Sequence, residues 1–103
     1  MITHSQLEVS TSTTYLAAVV AVDGVRFVAA AHTRAALFRE LAAYVRARAH
    51  DQLWPGDALI VEGLLESGDD HAAVERYFVS VGERWDEEWL VISDIVSQKE
   101  KDA

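Results

Sequence analysis

The sequence predicts an α+β domain of two layers, a three-stranded, mainly antiparallel sheet with three helices on one face, in the order β-β-α-α-α-β. Three observations predict it. Two β-branched and apolar runs, 13–22 and 25–31, meet across Asp23-Gly24. Three stretches between Thr33 and Gly82 repeat apolar residues at helical spacing, and 87–96 returns to strand formers.

The hairpin comes first. Asp23-Gly24 suits a two-residue type I′ turn, in which both central residues take positive φ. That turn sets Val22 opposite Val25, Val20 opposite Phe27, Ala18 opposite Ala29 and Leu16 opposite Ala31, and this face reads as core. The other face collects Tyr15, Ala17, Val19, Ala21, Val28 and Ala30, with Arg26 beside Ala21. It is more apolar than a solvated sheet face, so these six residues are read as an association surface. The competing reading covers this face with the third strand or the N-terminal segment of the same chain.

Thr33 then caps a helix running to about His50, whose stripe holds Leu37, Phe38, Leu41, Ala42, Tyr44, Val45 and Ala49. After Trp54-Pro55-Gly56, a second helix carries Ile60, Val61, Leu64 and Leu65 to Gly68. A short strand over 58–61 competes with it. Asp69 or Asp70 caps a third helix with Ala73, Val74, Tyr77, Phe78 and Val81 inward, and Gly82 as its stop. The run 87–96 is apolar at alternating positions on both faces, which predicts a central strand of the sheet. Helical spacing of Trp85, Trp89, Ile92 and Val96 is the alternative.

The 103 residues are half apolar, enough for one domain, placed at 11–97 with a flexible tail at 1–10 and a disordered one at 98–103. Nine basic and 17 acidic residues give a net charge of −8, a prior against nucleic-acid phosphates and anionic membranes as partners. Without cysteine there is no disulfide, thiolate metal site or cysteine nucleophile, and without asparagine no N-linked glycan. The apolar run 15–22 is too short to span a bilayer. These features predict a cytoplasmic protein.

Catalytic signatures are sparse. The five glycines form no G-x-G pair, which excludes dinucleotide and P-loop fingerprints, and Ser67 lacks the glycine two positions earlier that a nucleophile elbow requires. His71 with Asp70 and Glu75 is the best acid/base or metal candidate, but capping aspartates and an exposed His-Glu pair are the favoured reading of that cluster. The acidic segment of Glu83, Asp86, Glu87, Glu88 and Asp94 contains Trp85 and Trp89, read as candidate partner anchors. Residues 1–50 balance to +2 (five basic, three acidic) and 51–103 to −10 (four basic, fourteen acidic). The arginines of the first helix do not share one face, so they are assigned to pairing with the acidic half rather than to nucleic acid.

The resulting expectation is a small acidic interaction module whose partner is a second copy of itself, with no cofactor, metal or catalytic residue. The alternative is an acidic inhibitor or adaptor that occupies a basic, nucleic-acid-binding site on another protein. A small enzyme or metal binder around His71 ranks third.

Overall fold

A computed structural model describes residues 9–82 and 88–100. β1 (Val9–Ala21) and β2 (Gly24–Ala31) form the hairpin; α1 (Arg34–Gln52), α2 (Pro55–Glu66) and α3 (Asp70–Val81) follow, and β3 (Glu88–Glu100) closes the sheet. The order is the α+β arrangement the sequence predicts. All neighbours are antiparallel, in the spatial order β2-β1-β3. The central strand is therefore β1, not β3, because the three helices carry the chain from β2 across to the opposite edge of β1. β1 begins two residues before the predicted domain bound and β3 runs three residues past it.

Local chemistry places the helix ends. Thr33 accepts a hydrogen bond from the Ala36 N–H at 3.0 Å and starts α1. Pro55 opens α2, where its missing N–H costs nothing. Gly68 ends that connection at φ +85°, its N–H bonded to the Leu65 carbonyl, while the Asp69 N–H reaches Leu64. Asp69 then caps α3 by accepting from the Ala72 N–H at 3.2 Å. Leu37, Leu41, Val45, Val61, Val74, Tyr77 and Val81 are buried between the helices and one face of the sheet.

The hairpin departs from its predicted register. Ala21 pairs with Gly24, so the turn residues are Val22 and Asp23, and neither has positive φ. Gly24 takes φ +129° instead. Val20 lies opposite Val25 and Val19 opposite Phe27, which makes Arg26 the extra residue of a β-bulge. The turn and the bulge together leave Phe27, Ala29 and Ala31 on the predicted inner face but exchange the faces of β1. Ala17, Val19 and Ala21 are buried under the helices, and Val22 and Val25, predicted inside, lie exposed. The α+β order does not depend on this slip.

β2 ends opposite Tyr15, so β1 residues 9–14 pair with β3 residues 95–100 alone.

Two glycines test this account in opposite directions. Gly68→Ala forces a side chain into the left-handed region and is expected to cost about 1–2 kcal/mol. Gly63→Ala, in mid-helix with open space where its Cβ would lie, is expected to stabilise by about 0.8–1 kcal/mol. Urea unfolding of both variants measures the pair.

Candidate functional site: the clamped and the open sheet faces

On the helix-covered face, cross-strand rows run Ala31-Tyr15-Asp94, Ala29-Ala17-Ile92, Phe27-Val19-Leu90 and Gly24-Ala21-Glu88. The last row ends in a carboxylate whose side chain has no solvent exposure. Four donors surround it. Glu88 Oε2 accepts from Arg26 Nη1 at 2.6 Å, Arg48 Nη2 at 2.7 Å and the Tyr44 hydroxyl at 3.0 Å, while Oε1 accepts from the Tyr77 hydroxyl at 2.7 Å. The bulge turns Arg26 toward this point, and α1 and α3 supply the other three. Arg48 stacks over Tyr44, which packs against Phe27 and edge-on to Tyr77.

Burial alone would push the Glu88 carboxyl up. The hydrogen bonds from Tyr77 and Arg26, the Arg48 charge and the Tyr44 hydrogen bond outweigh it and hold the group below the usual carboxylate range. Burial and the neighbouring carboxylate push Tyr44 up to about 12 and raise Tyr77 further. Glu88 is thus an anion at neutral pH with its oxygens occupied, so it has no proton to donate and little capacity to take one. This arrangement clamps β2, β3, α1 and α3 together.

The opposite face has no such chemistry. Its rows run Ala30-Leu16-Ser93, Val28-Ala18-Val91 and Val25-Val20-Trp89, followed by Thr14 beside Ile95. No charged residue interrupts these rows, in a chain with 26 charges. Val28, Val91, Ile95 and Trp89 remain 64, 55, 51 and 46 % exposed. No described element packs over them.

Of the six residues predicted to form the association face, Val28 and Ala30 lie on this open face. Tyr15, Ala17, Val19 and Ala21 lie under the helices, because the register moved β1 by one position. Leu16, Ala18 and Val20 take their places. Trp89 stands on the open face beside Val20, and Trp85 lies outside the described residues. His71 and Glu75 approach to 3.6 Å on the exposed side of α3, and His71 stacks on Phe38 beside Arg34. Among the described residues, no three histidine, aspartate or glutamate side chains gather as a metal site. No described helix is long and apolar enough to cross a membrane.

Sequence reasoning missed Glu88, counting it only as one member of the acidic segment of Glu83, Asp86, Glu87, Glu88 and Asp94, and missed Arg26, Tyr44 and Tyr77 as its partners. The only available signal was Arg48 at the margin of the α1 stripe, assigned to pairing with the acidic half, as it does pair. No family model matches the chain, nor does any curated protein or solved structure.

The clamp predicts how stability depends on pH. Glu88, lower in the folded chain than the usual value of about 4.3, contributes fully above that pH and loses its contribution as pH falls through the folded value. Tyr44, raised from about 10, contributes fully below pH 10 and loses it as pH rises toward about 12. Glu88→Gln is expected to cost about 3 kcal/mol at pH 7 and to flatten the acid limb. Tyr44→Phe is expected to soften the alkaline limb. Urea midpoints from pH 3 to 11 measure both.

Proposed function

We propose that this protein is a self-associating interaction module, and that a second copy packs its open sheet face against the first. The observation that carries the reading is the uncharged apolar face of Leu16, Ala18, Val20, Val28, Trp89 and Val91, left exposed by the fold. Exposed contiguous apolar surface of this kind marks an interaction site in a soluble chain.

The second copy is favoured as occupant by chemistry and by area. A face without charge is complementary to itself, whereas a basic partner would be recognised by acidic groups, which this face lacks. Three strands about 4.8 Å apart and seven residues long cover roughly 14 by 24 Å. Pleating and side chains raise the accessible area to several hundred Å², approaching the roughly 800 Å² per partner of a standard interface. Alanine at 18 and 30 permits sheets to approach closely, and Trp89 supplies a large aromatic anchor.

Sedimentation at tens of micromolar tests the reading. The wild-type chain is expected to sediment as an assembly, and Val91→Lys, which places a charge in the middle of the face, to weaken association by about 100-fold or more. Thermal unfolding of Val91→Lys should match the wild-type monomer, since Val91 lies outside the helix-covered core. A wild-type monomer at high micromolar concentration, or an assembly indifferent to Val91→Lys, overturns it.

A further inference from the structure

The sheet also ends unevenly. β3 accompanies β1 along its whole length from Val9 to Ala21, but β2 stops opposite Tyr15. Along 9–14 the β2 side of β1 therefore carries no strand among the described residues. A two-stranded ribbon is at best marginally stable by itself, and an open edge of unsatisfied peptide groups is a template for another strand.

Which peptide groups face that edge follows from one contact. The Thr13 carbonyl points to the β2 side, where His32 Nδ1 lies 3.4 Å away. In an antiparallel strand the N–H and C=O of one residue point the same way and alternate along the chain. Val9, Thr11 and Thr13 thus present their donors and acceptors to the vacant side, while Ser10, Ser12 and Thr14 bond toward β3. The sequence leaves this edge unguarded. The run Val9-Ser10-Thr11-Ser12-Thr13-Thr14 holds no charge and no proline, the usual protections of an exposed edge. β3, whose far side is also an edge, carries Asp94, Lys99 and Glu100.

We infer that residues 9–14 of β1 pair antiparallel with the same residues of a second copy, Thr11 opposite Thr11 of the second copy, joining two sheets edge to edge into one of six strands. The geometry is self-consistent. A two-fold axis normal to the sheet keeps each helix layer on the same side, which requires paired residues to have the same parity. Centring on Thr11 meets that condition and sets Val9 opposite Thr13 of the second copy. All three odd residues then meet odd residues, so the outward-facing peptide groups of Val9, Thr11 and Thr13 find counterparts when the exposed His32 side chain swings away from the Thr13 carbonyl. Each β2 ends where the incoming strand begins. The helices of the two copies sit at opposite ends of the joint, and the two open faces come to lie on the same side of one sheet.

This inference rests on the self-association proposed above but uses a different surface, so the two predict different species. With both contacts the chain assembles as a tetramer, two six-stranded sheets packed through their open faces. Loss of the face contact alone leaves the edge-joined pair.

Because the chain has no cysteine, Thr11→Cys reports the joint directly. Hydrogen-bonded antiparallel pairs lie about 5.5 Å apart at Cα, within disulfide range. Under a mild glutathione redox buffer, Thr11→Cys is expected to run as a covalent pair on a non-reducing gel. Thr13→Cys, opposite Val9 of the second copy, is expected not to. Thr11→Cys should link equally well in a Val91→Lys background, whose unlinked form should sediment as a dimer. Thr11→Pro removes an N–H on the vacant side only, so the circular dichroism spectrum should be preserved while the sedimenting mass halves. Absence of the Thr11→Cys link, equal linking of Thr13→Cys, or an unchanged mass for Thr11→Pro overturns the edge pairing. A Thr11→Cys link together with an assembly indifferent to Val91→Lys upholds the edge and overturns the face.

Discussion

The Glu88 carboxylate, taken wholly out of water, is the interaction on which the arrangement of the sheet and helices depends. An isolated buried charge costs several kcal/mol, so it is tolerated only where its lone pairs are filled by well-placed donors. Two arginines and two tyrosines fill them here, and they come from β2, α1 and α3. Burial of the one group therefore fixes the position of four elements relative to one another. Hydrophobic contacts between the same elements are numerous but non-directional, and tolerate sliding that the hydrogen bonds do not.

The bulge at Arg26 belongs to the same constraint. Regular pairing would alternate the hairpin side chains without interruption, whereas the extra residue lets both Arg26 and Phe27 serve the helix-covered side. One consequence is polar, the Arg26–Glu88 pair at 2.6 Å. The other is apolar, because the shifted register carries Ala17, Val19 and Ala21 under the helices and turns Leu16, Ala18 and Val20 outward. The clamp and the composition of the open face are thus two results of one backbone irregularity.

Segregation of charge follows. Arg26 and Glu88 neutralise one another beneath the helices, Asp94 stands at the end of a helix-side row, and the open-face rows from Val25-Val20-Trp89 to Thr14-Ile95 carry no charge. The acidic excess of the chain is displaced to the helix surfaces and the segments around them. These rows are uncharged in a chain whose net charge is −8.

Much of this was legible in the chain. Caps at Thr33 and Asp69, proline at 55 and glycine at 68 are local signals, and helical periodicity is set by neighbours three and four apart, so the helices and their buried stripes could be read directly. The excess of apolar residues in the hairpin likewise announced that both of its faces would be apolar. Its membership on β1 was not legible, because a two-residue period makes a one-residue slip indistinguishable in composition yet opposite in outcome. Nor could Glu88 be told from the acids beside it, since its distinction lies in four donors 11 to 62 residues away in sequence. Sequence determined the elements and their order. Tertiary structure alone decided which side of β1 is inside, because the bulge at Arg26, which the local turn does not specify, sets Ala17 and Val19 beside Ala29 and Phe27 under the helices.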